Sequence, residues 1–177
     1  MTLQGLTIYN FLSLQFTQMD FSPRLQNLCF LTISIILFFG SCDSKRFYEE
    51  NKSIEKSVWH SSNKVMFNIM INDISSSYSF FLNIRNTGDY PFSNLFLFMK
   101  TTYPDGRITR DTIECTLADN EGKWLGSGVS DIKFNRLLFH KGVRFPQKGN
   151  YGFELVQGMR ISDVKGISDI GIRLEKE

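Results

Sequence analysis

Few residues in this chain combine the types and the spacing that catalysis or metal binding requires. The two histidines, His60 and His140, have no cysteine or carboxylate beside them at the spacing of a metal site. Asp111 and Glu114 form a carboxylate pair, but residues three apart on a strand point to opposite faces and cannot flank one substrate bond. The sequence therefore predicts neither an enzyme nor a metal centre.

Serine and glycine also fit no nucleophile or phosphate motif. No serine lies in a G-x-S-x-G elbow. Residues 122–128 (GKWLGSG) place a lysine between glycines, yet tryptophan follows that lysine where a phosphate loop has serine or threonine. We interpret this segment as a glycine-rich connection that is pinned by a packed Trp124. No cofactor is expected to bind the chain noncovalently.

Cys42 is the residue whose context predicts a covalent modification. Residues 28–39 (LCFLTISIILFF) are uncharged and have the length of a secretory signal core, short of the ~20 residues that span a bilayer. Gly40 and Ser41 suit a signal peptidase. The cysteine after them resembles the lipobox of bacterial lipoproteins, with Phe39 where the strictest form has leucine.

The lipobox resemblance implies cleavage before Cys42, a diacylglycerol on its sulfur and acylation of the new amino end, with chains such as palmitate. Because one acyl chain holds a protein only marginally, two or three chains make membrane attachment stable. The alternative is an ordinary exported cysteine beside an ordinary cleavage site.

The chain accordingly divides into a signal peptide at 1–41, a lipidated N-terminus and polar tether at 42–63, and a folded domain at 64–177. Met19 is a second candidate start, because no lysine or arginine precedes Arg24. The formal net charge of +2 leaves no electrostatic footprint for nucleic acid. Cys115 has no disulfide partner once the signal is removed, and we expect it to be a buried apolar residue.

Period-two alternation predicts an all-β domain. Residues 65–71 and 78–85 alternate apolar with polar side chains, whereas residues 95–99 (LFLFM) are apolar on both faces, which predicts a central strand covered on both sides. Further strands are predicted at 107–117 after the Pro104-Asp105-Gly106 turn, at 143–145, at 151–155 and at 170–174, with Asp169, Arg173 and Glu175 on the opposite face of the last. Residues 131–140 stay open between strand and short helix. Short strands at this spacing indicate an antiparallel β-sandwich of about 7–8 strands.

Three aromatic residues on two loops are candidates for binding. Tyr90 and Phe92 follow Asp89 in a turn-rich connection between strands, and Trp124 lies in the glycine-rich segment. Aromatic side chains on such loops can hold sugar rings or partner surfaces. The alternative is that Tyr90 and Phe92 plug the end of the sandwich.

Several short blocks, taken with their order and spacing from about residue 42 to residue 175, resemble the gliding motility lipoprotein GldH family. The blocks are the lipobox at Cys42, Arg85-Asn86, residues 89–95 (DYPFSNL), Pro104-Asp105-Gly106, Ala118-Asp119, residues 122–126 (GKWLG), 157–160 (QGMR) and 170–173 (IGIR). The resemblance implies a lipid-anchored envelope protein of gliding bacteria, without assigned catalytic residues.

Its implied partners are other proteins of the gliding apparatus and of the secretion system that exports adhesins. The inner and outer membranes are both open as locations for the anchor. Two other functions are alternatives: a surface lipoprotein that binds glycan through Tyr90, Phe92 and Trp124, and an envelope hydrolase.

Overall fold

The computed structural model describes residues 43–128 and 130–177, and within them the chain forms two packed antiparallel sheets. The strands are β1 (Arg46–Ser53), β2 (Val58–His60), β3 (Val65–Ile71), β4 (Tyr78–Asn86), β5 (Asn94–Thr102), β6 (Ile108–Thr116), β7 (Lys133–Val143), β8 (Gly149–Gln157), β9 (Asp163–Lys165) and β10 (Ile167–Lys176). Sheet I has the order β1-β10-β4-β7, sheet II has the order β3-β8-β5-β6, and β2 pairs with β9. The predicted all-β sandwich is confirmed. The predicted signal peptide and Cys42 lie outside the described residues.

The core lies between the inner faces of the two sheets. Strand β3 alternates strictly, with Phe67, Ile69 and Ile71 buried and the residues between them exposed. Sheet I buries Leu82 of β4 and Ile172 of β10 against this layer. The alternation arises because successive side chains of a strand point to opposite faces, and only one face of each sheet meets the other sheet.

Residues 46–60 belong to the folded domain and do not form the predicted tether. Strand β1 pairs with β10 from Arg46 opposite Glu175 to Ser53 opposite Asp169. Trp59 of β2 is fully buried, and its indole N–H donates to the carbonyl oxygen of Asn63 at 2.8 Å. The polar sequence of β1 suits its place at the edge of sheet I, where much of its surface meets solvent. The predicted tether is thus corrected for residues 46–60, which form β1, β2 and the turn between them.

Strand β5 is central in sheet II, but it is covered on one face only. Leu95, Leu97 and Met99 point into the core, whereas Phe98 on the outer face is 51% exposed. The expectation of a strand covered on both sides is therefore wrong, because a two-layer sandwich leaves the outer face of each sheet open.

Residues 131–140, which the sequence left open between strand and helix, provide most of β7. This strand pairs with β4 from Tyr78 opposite Val143 to Asn86 opposite Lys133. It ends at Val143, so the predicted strand at 143–145 does not form, although Phe145 is buried in the following loop.

Candidate interaction surface

The three predicted aromatic residues lie together at one end of the sandwich. The Tyr90 ring centroid is 5.7 Å from that of Phe92 and 6.3 Å from that of Trp124. Tyr90 is only 3% exposed, and its hydroxyl donates to the carbonyl oxygen of Asn94 at 2.6 Å. Burial, with a smaller contribution from the charge of Cys115, raises the pKa of Tyr90 above its ordinary range. Tyr90 therefore presents no open ring face, while Asp89 beside it is exposed.

Backbone contacts from two directions position this aromatic cluster. Gly166 has a φ of +84° and lies so close to Tyr90 that an added Cβ would be 2.6 Å from the Tyr90 nitrogen. On the other side, the Ser93 carbonyl accepts hydrogen bonds from the amides of Leu117 and Ala118. Ala118 in turn forms an isolated bridge with Trp124, which brings the tryptophan back against Tyr90.

Phe92 connects the aromatic cluster to an apolar strip on the outer face of sheet II that the sequence analysis did not identify. The apolar strip consists of Phe92, Phe96, Phe98, Val156, Met159 and Ile161. Phe98 and Val156 are neighbours across β5 and β8. Part of the strip lines a cavity of about 460 Å³. The apolar side chains at the outer positions of residues 95–99 are the feature of the sequence that indicates this strip. The sequence analysis instead predicts that a second layer covers them.

The turn after β8 holds one wall of the apolar strip in place. The buried Gln157 side chain accepts a hydrogen bond from the Met159 amide at 2.8 Å and donates to the carbonyl of Ile161 at 3.0 Å. The Gly158 amide donates to the Phe96 carbonyl at 2.7 Å. A Cβ on Gly158 would approach the Phe98 ring to 3.1 Å, so glycine lets the ring lie over the turn. The strip is consequently preformed.

Cations outnumber carboxylates around the apolar strip. Lys64 and Lys100 both contact Glu154, at 3.1 and 3.8 Å. Arg110 and Arg160 are exposed, and neither forms an ion pair with another described residue. This rim complements a surface that carries negative charge.

The described residues contain no cluster of side chains that could hold a metal ion. No group of three His, Cys, Asp or Glu side chains among residues 43–128 and 130–177 is arranged to hold a metal ion. Asp111 lies on the face of β6 that includes the buried Ile113, and Glu114 lies on the other, as predicted. Cys115 is buried, and burial followed by the charge of Glu114 raises the pKa of its thiol to about 12.

No helix in that part of the chain is long and apolar enough to cross a membrane. Cys42, the predicted lipid attachment site, is not among the residues whose geometry the structure describes.

Comparison with known proteins finds one matching family model and relatives that are similar over most of their length. A family model described as GldH lipoprotein matches residues 46–174. A protein of Christiangramia forsetii named gliding motility lipoprotein GldH homolog is 38% identical over 154 residues, which cover 83% of this chain and 94% of that protein. The gliding motility lipoprotein GldH of Flavobacterium johnsoniae is 35% identical over 161 residues, which cover 87% of this chain and 99% of that protein.

Among solved structures, the VP2 subviral particle of infectious bursal disease virus aligns with a TM-score of 0.34 and 17% identity. The alignment covers 76% of this chain and 34% of the viral chain. A likeness of this size supports no argument about function.

Proposed function

This chain belongs to the GldH lipoprotein family, and on that premise we propose that it is a lipid-anchored component of the gliding motility machinery in the cell envelope. The lipid is attached at Cys42. The protein acts by contact with other proteins of the machinery and of the associated secretion system, and not by catalysis. The names of its relatives support the role in gliding, and the apolar strip on sheet II supports the proposed contact surface.

The observation that carries the proposed contact is the preformed apolar strip centred on Phe98. A half-exposed phenylalanine on an open sheet face, bordered by Phe96 and Val156, offers apolar area that a partner can remove from water. Arg110 and Arg160 lie at its border without carboxylate partners among the described residues. The partner is thus a protein segment with apolar side chains flanked by Asp or Glu.

The test compares a deletion strain complemented with wild type, Cys42→Ser, Phe98→Asp or Leu138→Asp. Leu138 is the matched control, because it is 53% exposed but lies on β7 of sheet I. Colony spreading and adhesin export are scored together, and the thermal midpoint of each purified variant is measured. We expect Phe98→Asp and Cys42→Ser to abolish both activities, and Leu138→Asp to restore them.

Full complementation by Phe98→Asp at a normal expression level would exclude the apolar strip as the contact surface. If spreading and export survive deletion of the gene, the gliding assignment itself is wrong. Glycan binding would then be the function to test, through the partly exposed Phe92 and Trp124, since Tyr90 is buried.

A further inference from the structure

Both ends of the described chain meet at one end of the sandwich, which we call the anchor end. It comprises residues 43–46, the loops at 72–77, 103–107 and 144–148, and the C-terminus. The Lys176 amide donates to the Lys45 carbonyl at 2.9 Å, and the Glu177 amide donates to the Ser77 carbonyl at 3.0 Å. Lys45 is therefore held against the body of the domain.

Only Asp43 and Ser44 separate Lys45 from Cys42. Three residue steps of extended chain span at most about 11 Å. If the Cys42 sulfur carries a lipid, this short connection keeps the domain close to the bilayer surface. From this constraint we propose that the anchor end lies on the membrane surface and binds the headgroups of anionic phospholipids. The inference rests on the proposed lipid attachment at Cys42.

The charges of the anchor end suit an anionic lipid surface. Its exposed cations without an ion pair among the described residues are Lys45, Arg46, Arg144 and Lys148. Two of the nearby carboxylates are already neutralised, because Asp73 contacts Lys176 at 2.7 Å and Asp105 contacts Arg107 at 2.8 Å. The basic side chains outnumber the remaining carboxylates, which are those of Asp43 and Glu177. Clustered lysine and arginine next to a lipid anchor strengthen attachment to anionic membranes.

An apolar residue is exposed at the same end, on a loop that is held by side-chain hydrogen bonds. Asp73 organises this loop, since its carboxylate accepts hydrogen bonds from the backbone and hydroxyl groups of Ser75 and Ser76. Ile74, next to it, is 41% exposed. Phe47 is also exposed and packs its ring 5.0 Å from Tyr78. In the proposed orientation, Ile74 and Phe47 enter the boundary between headgroups and acyl chains.

The opposite end of the sandwich carries both tryptophans of the described residues. Trp59 lies in the segment before β3, and Trp124 lies in the loop between β6 and β7. Both segments connect strands at the end of the sandwich that is farthest from Arg46. The native tryptophans therefore serve as internal reference fluorophores that stay away from the bilayer.

The experiment uses full-length lipidated protein purified from membranes and reconstituted into vesicles of phosphatidylethanolamine and phosphatidylglycerol that contain brominated lipid. Bromine quenches a tryptophan that enters the bilayer boundary. The reporter variant is Ile74→Trp, and the matched control is Ile161→Trp, because Ile161 is similarly exposed at the opposite end. We expect the added fluorescence of Ile74→Trp to be largely lost, and that of Ile161→Trp and of the native tryptophans to persist.

A second comparison tests the headgroup charge. In the Ile74→Trp background, Arg144→Glu with Lys148→Glu should reduce quenching, whereas Lys123→Glu with Lys165→Glu at the opposite end should not. Vesicles in which phosphatidylcholine replaces phosphatidylglycerol, at the same content of brominated lipid, should lower the quenching of Ile74→Trp. Equal quenching of Ile74→Trp and Ile161→Trp would overturn the proposed orientation. So would quenching of Ile74→Trp that changes neither with the charge substitutions nor with the lipid composition.

The result also separates this inference from the proposed function. Protein that fails to float with vesicles overturns lipid attachment, and the orientation with it. If the protein floats with the vesicles but the fluorescence of Ile74→Trp is not quenched, the proposed orientation is wrong. The role in gliding is then tested separately, by colony spreading and adhesin export.

Discussion

Arg173 shows how a charged residue of this chain is built into the fold. It lies on the outer face of β10, yet it is only 3% exposed. Its guanidinium contacts Glu49 of β1 and, at 2.6 Å, Glu175 of its own strand. Asn83 donates to the same Glu49 at 2.9 Å, and Arg136 lies 3.3 Å from it. The sequence correctly predicted which face of β10 carries Arg173, but its burial depends on partners from β1, β4 and β7.

Replacing Arg173 by methionine should lower the free energy of unfolding by about 3–5 kcal/mol, because it leaves the carboxylate of Glu49 partly buried without its main partner. Arg85→Met is the control, since Arg85 is exposed and lies 3.9 Å from Asp169. Its removal should cost less than about 1 kcal/mol. Urea unfolding of both variants measures the difference, and equal losses would contradict a special role for Arg173.

The same cluster predicts an acid-sensitive component of stability. Burial opposes ionisation of Glu49, but hydrogen bonds from Arg173 and Asn83 and the charges of Arg173 and Arg136 outweigh it and lower its pKa below the ordinary 4.5. A carboxylate with a lowered pKa stabilises the folded state above its unfolded-state pKa and loses that contribution as pH falls through the folded value.

Thermal midpoints measured on the acid side of pH 4.5 should therefore fall less steeply for Glu49→Gln than for wild type. Glu121→Gln, on an exposed loop, should keep the wild-type slope. A Glu49→Gln profile parallel to that of wild type would show that this carboxylate does not titrate differently in the folded state.

At the scale of elements, the contact between β1 and β10 depends on Gly171. A Cβ at this position would lie 2.6 Å from the carbonyl oxygen of Glu50 and would collide with the Asn51 side chain. Gly171→Ala should therefore push β1 away from β10 and destabilise the domain by about 1–3 kcal/mol. Gly152→Ala on β8 is the control, because its nearest neighbours would be 3.7 Å away. Hydrogen exchange of the β1 amides reports the local loss, and unchanged protection would refute the clash.

The elements also show where sequence patterns suffice and where they do not. Strand β3 was predicted because its buried and exposed positions alternate, as its sequence does. Strand β4 was predicted from the alternation of its sequence, although most of its residues are buried on both faces. Strand β1 was missed because its sequence RFYEENKS has no such pattern and its pairing is decided by β10 at the far end of the chain. The outer face of β5 was wrongly predicted to be buried, because the sequence alone does not show whether an apolar side chain is buried inside the domain or exposed on its surface.

For the whole molecule, residues 46–60 should be indispensable for folding. Trp59 fills the core, and β1 covers an edge of β10. A chain that starts at residue 64, as the predicted tether boundary suggests, should lack a cooperative thermal transition, while one that starts at residue 44 should retain it. Loss of a buried tryptophan alone costs about 3–5 kcal/mol, a large part of the stability of a typical domain. A cooperative melt of the shorter chain would restore the tether interpretation.

The position of β1 also determines how the domain would resist mechanical force. Cells that move over a surface exert tension between their envelope and what they hold, and here the lipid would pull on the first residue of β1 while a partner pulls on sheet II. Since the hydrogen bonds between antiparallel strands run perpendicular to the strands, tension along β1 must slide it past β10 and load the whole ladder from Arg46 to Ser53 at once. A lipid at Cys42 would therefore load the contact between β1 and β10 in shear and not in peeling, the direction in which a β-ladder resists force best.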